Sequence, residues 1–179
     1  MRTVREIRLL LLFCLPLLAA CSQVQERSVS GSNSEPLLVF LVRHGEKVDQ
    51  SRDPELSPAG YVRAATLAHS LQNSQIQHVH STDFIRTRKT AEPTAAIHGL
   101  EVEIYDPADL KSFAKELLKE GGRHLVVGHS NTTPRLVELL GGESGEEIYE
   151  PEEYDRLYLL TIEGKGEVNT VLLRYGAAF

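Results

Sequence analysis

Residues 37–46 are Leu-Leu-Val-Phe-Leu-Val-Arg-His-Gly-Glu. Six consecutive apolar residues, rich in β-formers, predict a strand buried on both faces, as in a parallel sheet covered by helices. The run stops on Arg43, His44 and Gly45. In open α/β sheets ligands gather beyond the carboxyl ends of the strands. A glycine there lets the backbone approach a ligand, an arginine offers phosphate a planar fork of donors, and an imidazole is a nucleophile.

Downstream, helical and strand patterns alternate. Ser57-Pro58 supplies a cap followed by proline, opening a helix to about Gln72. Gln77 to Ser81 is a short strand, Phe84 to His98 a helix interrupted near Pro93, and Val102 to Tyr105 another strand. Asp106-Pro107 repeats the cap-then-proline signal. After it Leu110, Phe113, Ala114, Leu117 and Leu118 recur at helical spacing until Gly121-Gly122. Leu125 to Val127 is a third central strand and Thr133 to Leu140 a helix. Leu157 to Ile162 and Val168 to Leu173, joined through residues 164–166, form a closing hairpin. The order predicts a three-layer α/β/α sandwich over residues 37–179, with a mostly parallel central sheet and a C-terminal hairpin.

Two further segments fall on the strand ends. Gly128-His129-Ser130 follows the strand at Leu125–Val127 and precedes a helix, whose N-terminus favours anions. Ser81 to Thr87, containing Arg86, follows another strand. Two arginines, two histidines and a helix end thus converge on one edge of the sheet, and a phosphoryl dianion accounts for the convergence.

Upstream, Arg2, Arg5 and Arg8 precede an apolar run from Leu9 to Ala20. That run is shorter than the roughly 20 residues needed to span a bilayer. Residues 1–20 have the layout of a secretory signal, and Leu18-Ala19-Ala20-Cys21 resembles the lipobox of bacterial lipoproteins. The resemblance implies cleavage before Cys21 and lipidation of that cysteine. Residues 21–36 then form a polar tether, and the domain is held at the outer membrane, facing the periplasm. Removing residues 1–20 takes away three arginines and one glutamate. It leaves 16 basic against 24 acidic residues, a net −8, which argues against nucleic acid as a partner. Cys14 leaves with the signal, so no disulfide is expected within the domain.

Together, Arg43-His44-Gly45, Ser81 through Ala91 and Gly128-His129-Ser130 resemble the three signatures of the histidine phosphatase superfamily, in its phosphoglycerate-mutase-like branch. Leu56-Ser57-Pro58-Ala59-Gly60 is similar to that family's first-helix stretch, and Glu153 to Tyr158 to its late strand. The resemblance implies a phosphoric monoester hydrolase of the histidine acid phosphatase type, with no cofactor and no metal. His44 is then the nucleophile that becomes phosphohistidine. Arg43 and Arg86 clamp the phosphoryl oxygens, and His129 donates to them as charge builds. Ser130 and Asn131 are further candidate phosphate donors or helix caps. Many members place a proton-donating carboxylate between the second and third signatures, which points to Asp106, with Glu46 as the alternative.

The remaining histidines are expected to be packed or solvated. His78 and His80 are spaced as a metal pair, with no Asp/Cys cluster at the right spacing to complete it. Gly128-His129-Ser130 also approaches a serine-hydrolase elbow. All seven histidines lie at or before His129, though, which excludes that fold's serine-then-histidine order. Two alternatives to hydrolysis stand: phosphoglycerate mutase-type transfer, and a non-catalytic lipoprotein that binds phosphorylated ligands. Only 36 residues separate Ala91 from Gly128, little room for the covering segments a mutase needs, which favours hydrolysis. Expected partners are a phosphorylated small molecule, an envelope saccharide phosphate or a phosphoprotein, together with the membrane.

Overall fold

The computed structural model describes residues 35–150, 152–163 and 166–176. The expected signal, Cys21 and most of the tether lie outside the described residues. Strand β1 (Leu37–Arg43) is one of the two central members of a six-stranded sheet ordered β3-β2-β4-β1-β5-β6. Its parallel partner is β4 (Gly122–Gly128), in register from Leu37↔Gly122 to Arg43↔Gly128. Strand β2 (His78–Ser81) pairs in parallel with β4 and with the edge strand β3 (Val102–Ile104). On the other side β5 (Arg156–Glu163) runs antiparallel to β1 and to the edge strand β6 (Glu167–Arg174), the expected closing hairpin. The three-layer α/β fold read from the sequence is the fold observed.

The continuous apolar run of β1 follows from its burial on two sides. Leu37, Val39 and Leu41 face a core closed by helices α3 (Leu110–Glu120) and α4 (Thr132–Leu139). Phe40 and Val42 face a second core under α1 (Pro58–Leu71) and α2 (Ile85–His98). Each fully buried valine or leucine contributes about 1.5–3 kcal/mol. The strand that carries the candidate site is therefore among the best-anchored parts of the molecule. Among the described residues no helix is long and apolar enough to cross a membrane.

Three local expectations need correction. Helix α2 runs unbroken through Pro93. The missing proline N–H removes one helical bond, but Thr87, Thr90, Ala91, Thr94 and Ala95 are buried on both sides of it and hold the axis. Helix α3 is capped by Asp109, whose carboxylate accepts from the Ser112 N–H, and not by Asp106. Asp106 instead closes a tight turn, accepting from the Ala108 N–H at 2.8 Å. Helix α4 begins at Thr132, and the Asn131 side chain makes no cap bond.

Candidate active site

Because β1, β2 and β4 are parallel, their carboxyl ends deliver Arg43-His44, Ser81-Thr82 and Gly128-His129 to one edge. The ends are laced together. The His44 N–H donates to the Gly128 carbonyl at 3.0 Å, and the Thr133 hydroxyl donates to the Val42 carbonyl at 3.1 Å. The Gly45 N–H donates to Thr90 Oγ1 on α2. Gly45 also packs on Gly60 of α1: a Cβ on Gly45 would meet the Gly60 carbonyl at 2.9 Å, and one on Gly60 would collide with the Glu46 carbonyl. The Ser57-Pro58-Ala59-Gly60 stretch thus starts a helix, with Ser57 Oγ accepting from the Gly60 N–H. It also lets that helix touch the loop that follows β1.

His44 is buried, and its Nδ1 lies 2.8 Å from the Gly45 carbonyl. A carbonyl only accepts, so the proton sits on Nδ1 and Nε2 keeps its lone pair. Burial first, then the nearby Arg43, His129 and Arg86, push the His44 pKa down to about 2, against the carbonyl bond that raises it. The ring is neutral and nucleophilic at physiological pH.

Arg43 is almost wholly enclosed, with Cζ 4.0 Å above the Tyr154 ring. Its Nη1 donates to the carbonyls of Glu150 at 2.7 Å and Glu153 at 3.0 Å. Nε and Nη2, which form one edge of the fork, have no hydrogen-bond partner among the described residues, and neither has Arg86 Nε. A buried donor left unpaired costs about 1–3 kcal/mol, more when charged. Both guanidinium groups are near enough to His44 to lower its pKa, and unpaired donors of this kind suit an anion. Arg86 is held by Asp53, which lies 3.4 Å from its Nη1 and also accepts from the Ile85 N–H that opens α2.

His129 completes the group, its ring 5.5 Å from that of His44. Thr87 Oγ1 lies 2.9 Å from the Thr82 and Phe84 carbonyls, so its proton goes to a carbonyl and its oxygen accepts from Thr82 Oγ1 at 3.0 Å. Thr82 Oγ1 must then accept from His129 Nε2, 2.9 Å away. That relay leaves His129 Nδ1 as an acceptor, 3.4 Å from Arg86 Nη2. Burial, then Arg86 and Arg43, lower the His129 pKa to about 4. Burial also lowers the pKa of both arginines.

His44, Arg86 and His129 line a cavity of about 520 Å³ together with Lys47, Ser130, Asn131 and Glu150. Glu150 is the one carboxylate among its described lining residues, 3.8 Å from Arg43 Nη2. The two carboxylates singled out from the sequence stand elsewhere. Glu46 is gripped by Arg63, whose Nε reaches both carboxylate oxygens at 2.9 and 3.0 Å and whose Nη2 reaches one at 2.6 Å. Asp106 lines a neighbouring groove with Glu103, while its successors Pro107 and Ala108 wall the His44 cavity. Asp53, Thr82, Glu150 and Tyr154 went unassigned from the sequence, for want of a motif that marks them.

The comparisons agree with this geometry. Residues 39–110 match the model of the histidine phosphatase superfamily, branch 1. Over that stretch, from β1 to the start of α3, the chain is similar to the histidine phosphatase superfamily. Among curated proteins, it is 34% identical over 73 residues to the probable phosphoglycerate mutase GpmB of Photorhabdus laumondii. That match covers 37% of this chain and 34% of the relative. The GpmB protein of Salmonella paratyphi A is 28% identical over 130 residues, covering 63% of this chain and 58% of the relative. The chain therefore spans less than two thirds of these relatives. Among solved structures, the histidine phosphatase fold is shared with the protein histidine phosphatase SixA complexed with tungstate. There the TM-score is 0.61 at 19% identity, over 77% of this chain and 97% of that one. It is shared equally with a mycobacterial glucosyl-3-phosphoglycerate phosphatase, with a TM-score of 0.61 at 15% identity, over 80% of this chain and all of that one.

Proposed function

We propose that this domain hydrolyses phosphate monoesters or phosphoramidates through a phosphohistidine on His44. The observation that carries the reading is the set of buried, unpaired guanidinium donors of Arg43 and Arg86 beside a neutral imidazole with a bare Nε2. Nε2 attacks phosphorus, the bond to the leaving oxygen or nitrogen breaks, and the Arg43 edge and Arg86 hold the equatorial oxygens as charge spreads. His129 Nδ1, protonated once a dianion is beside it, donates to one of them. Water then attacks the phosphohistidine, and inorganic phosphate leaves. Glu150, the carboxylate on the cavity wall, replaces Asp106 and Glu46 as the candidate proton donor to the leaving group.

The test is a rapid acid-free quench with labelled p-nitrophenyl phosphate. Wild type should carry an acid-labile phosphate on His44, and His44→Ala should lose both the label and turnover. Robust turnover by His44→Ala would overturn the mechanism. Phosphoglycerate mutase-type transfer is the second reading, favoured by the curated relatives' names. Phosphoryl movement between phosphoglycerate carbons without release of phosphate would establish it. A protein that only binds phosphorylated ligands would give neither label nor transfer.

We further propose that the chain is an envelope lipoprotein anchored through Cys21, acting on an envelope saccharide phosphate, a phosphoprotein or a phosphorylated small molecule. The charged-then-apolar segment ending in Leu18-Ala19-Ala20-Cys21 supports this. Cys21→Ser should abolish lipid labelling and membrane partition, and wild-type protein in the cytosol would refute it.

A further inference from the structure

On the α3-covered face of the sheet, at the opposite ends of the strands from His44, three imidazole rings stack. His78 and His124 are paired across the β2–β4 ladder, with ring centroids 4.7 Å apart. His80 lies two residues along β2, 5.2 Å from His124. Glu103 is the β3 partner of His80, and Glu120 closes the last turn of α3 above them. The sequence pairs only His78 with His80. The sheet register adds His124 and the two carboxylates.

The hydrogen bonds fix most of the ring protons. A carboxylate only accepts, so His78 donates its Nδ1–H to Glu103 Oε1 at 3.0 Å, which leaves its Nε2 bare, 3.5 Å from Glu120 Oε1. The Gly121 carbonyl accepts from His124 Nε2–H at 2.7 Å, so His124 Nδ1 accepts from His80 Nε2–H at 2.9 Å. His80 Nδ1 then faces Glu103 Oε2 at 3.7 Å, beyond hydrogen-bond reach.

A divalent ion would meet the bare His78 Nε2 directly and would replace the proton that His124 Nε2 gives to Gly121. Donor atoms of His78, His124 and Glu120 all lie within 4.8 Å of one another. The 3.5 Å His78–Glu120 separation is close to the edge of a tetrahedron of ligands about 2.1 Å from a zinc ion. A carboxylate that fixes the tautomer of metal-binding histidines is the usual outer-shell arrangement. The flanking groove, about 350 Å³, is lined by Glu103, Asp106, Asp109, Glu116 and Glu120, with no lysine or arginine among its described lining residues. Such a surface concentrates cations.

We propose that His78, His124 and Glu120 bind one divalent transition-metal ion of the zinc class, oriented by Glu103, at a site separate from the His44 cavity. Two imidazoles and a carboxylate favour such an ion over magnesium or calcium. The test is equilibrium dialysis of the full chain against Zn²⁺ alone, with Mg²⁺ as the comparison. Wild type should bind one zinc and no magnesium. His78→Ala and Glu120→Gln, both at solvent-accessible positions, should each weaken zinc binding at least tenfold, and Glu103→Gln by a similar factor. His44→Ala should bind zinc like wild type, and all three cluster variants should keep wild-type turnover of p-nitrophenyl phosphate without added metal, which also verifies their folding. Absence of zinc binding, unchanged affinity in His78→Ala and Glu120→Gln, or loss of the zinc in His44→Ala would each overturn the proposal.

Discussion

Replacing Arg43 by lysine keeps the positive charge and removes the fork, and the geometry gives the size of the effect. In the wild-type site Nη1 is committed to the Glu150 and Glu153 carbonyls, while Nε and Nη2 form an edge able to grip two phosphoryl oxygens at once. A single ammonium can serve the carbonyls or one phosphoryl oxygen. At least one charge-assisted bond in the transition state is therefore lost, worth about 1.5–3 kcal/mol. At 1.36 kcal/mol per decade this is a fall of roughly 10- to 100-fold in kcat/KM. The assay is hydrolysis of p-nitrophenyl phosphate by Arg43→Lys and wild type at several pH values, with Tm recorded for both. The Tm comparison separates the phosphoryl edge from the carbonyl anchors, whose loss would loosen Glu150 and Glu153. A variant within threefold of wild type, at unchanged Tm, would mean that charge alone suffices and that the fork is not the receptor.

Tungstate keeps a constant charge at neutral pH, so its binding should take up a proton at His129. The ring's pKa of about 4 rises beside the dianion, so near neutral pH affinity weakens as pH climbs, up to tenfold per unit until the pKa of the complex is reached. Calorimetry in two buffers of different ionisation enthalpy should register the proton in wild type and not in His129→Gln, and equal uptake in both would reject the assignment. Gly60→Ala should lower stability by about 1–3 kcal/mol and slow turnover, because the clash with the Glu46 carbonyl outweighs the roughly 1 kcal/mol gained in helix propensity. Thermal melts that rise would show the contact to be slack. Glu150→Gln should damage hydrolysis of an alkyl phosphate far more than of an aryl phosphate, whose phenolate leaves without a proton, while Asp106→Asn should leave both rates near wild type. The reverse pattern would restore Asp106 as the acid.

The legible parts of the molecule were those with a period or a cap. The β1 run, the Ser57-Pro58 start of α1 and the stripe on α3 each follow from local rules, and the strand ends then fix where Arg43, His44, Arg86 and His129 meet. The misread parts turn on competition between neighbouring signals or on distant partners. Asp106-Pro107 and Asp109 are both good helix starts, and the structure uses the second. Glu46, two residues after His44, looks catalytic until Arg63, one turn into α1, captures its carboxylate. Glu150 is more than a hundred residues from Arg43, and the loop bearing it carries no hydrophobic rhythm to place it. Likewise Glu103 and Glu120 reach the histidine stack only through sheet register and helix length.

The electrostatics of the site point in one direction. Arg43, Arg86, His44 and His129 all have pKa values below their ordinary ones, and in each case burial is the leading cause. A cluster evolved only to stabilise the fold would answer buried cations with buried anions, since an uncompensated buried charge is strongly destabilising. Here the compensation is thin. Asp53 touches Arg86 at 3.4 Å, and Glu150, largely exposed, stands 3.8 Å from Arg43. The deficit persists because the surrounding strands and helices hold the arginines in place. A phosphoryl group removes it, and does so most fully when negative charge on its oxygens is greatest. In the proposed reaction, a grip that tightens as charge spreads over the equatorial oxygens meets the condition for catalysis. The same reasoning assigns His44 its low basicity. With its proton on Nδ1 and cations around it, it stays unprotonated and available to phosphorus across the physiological range.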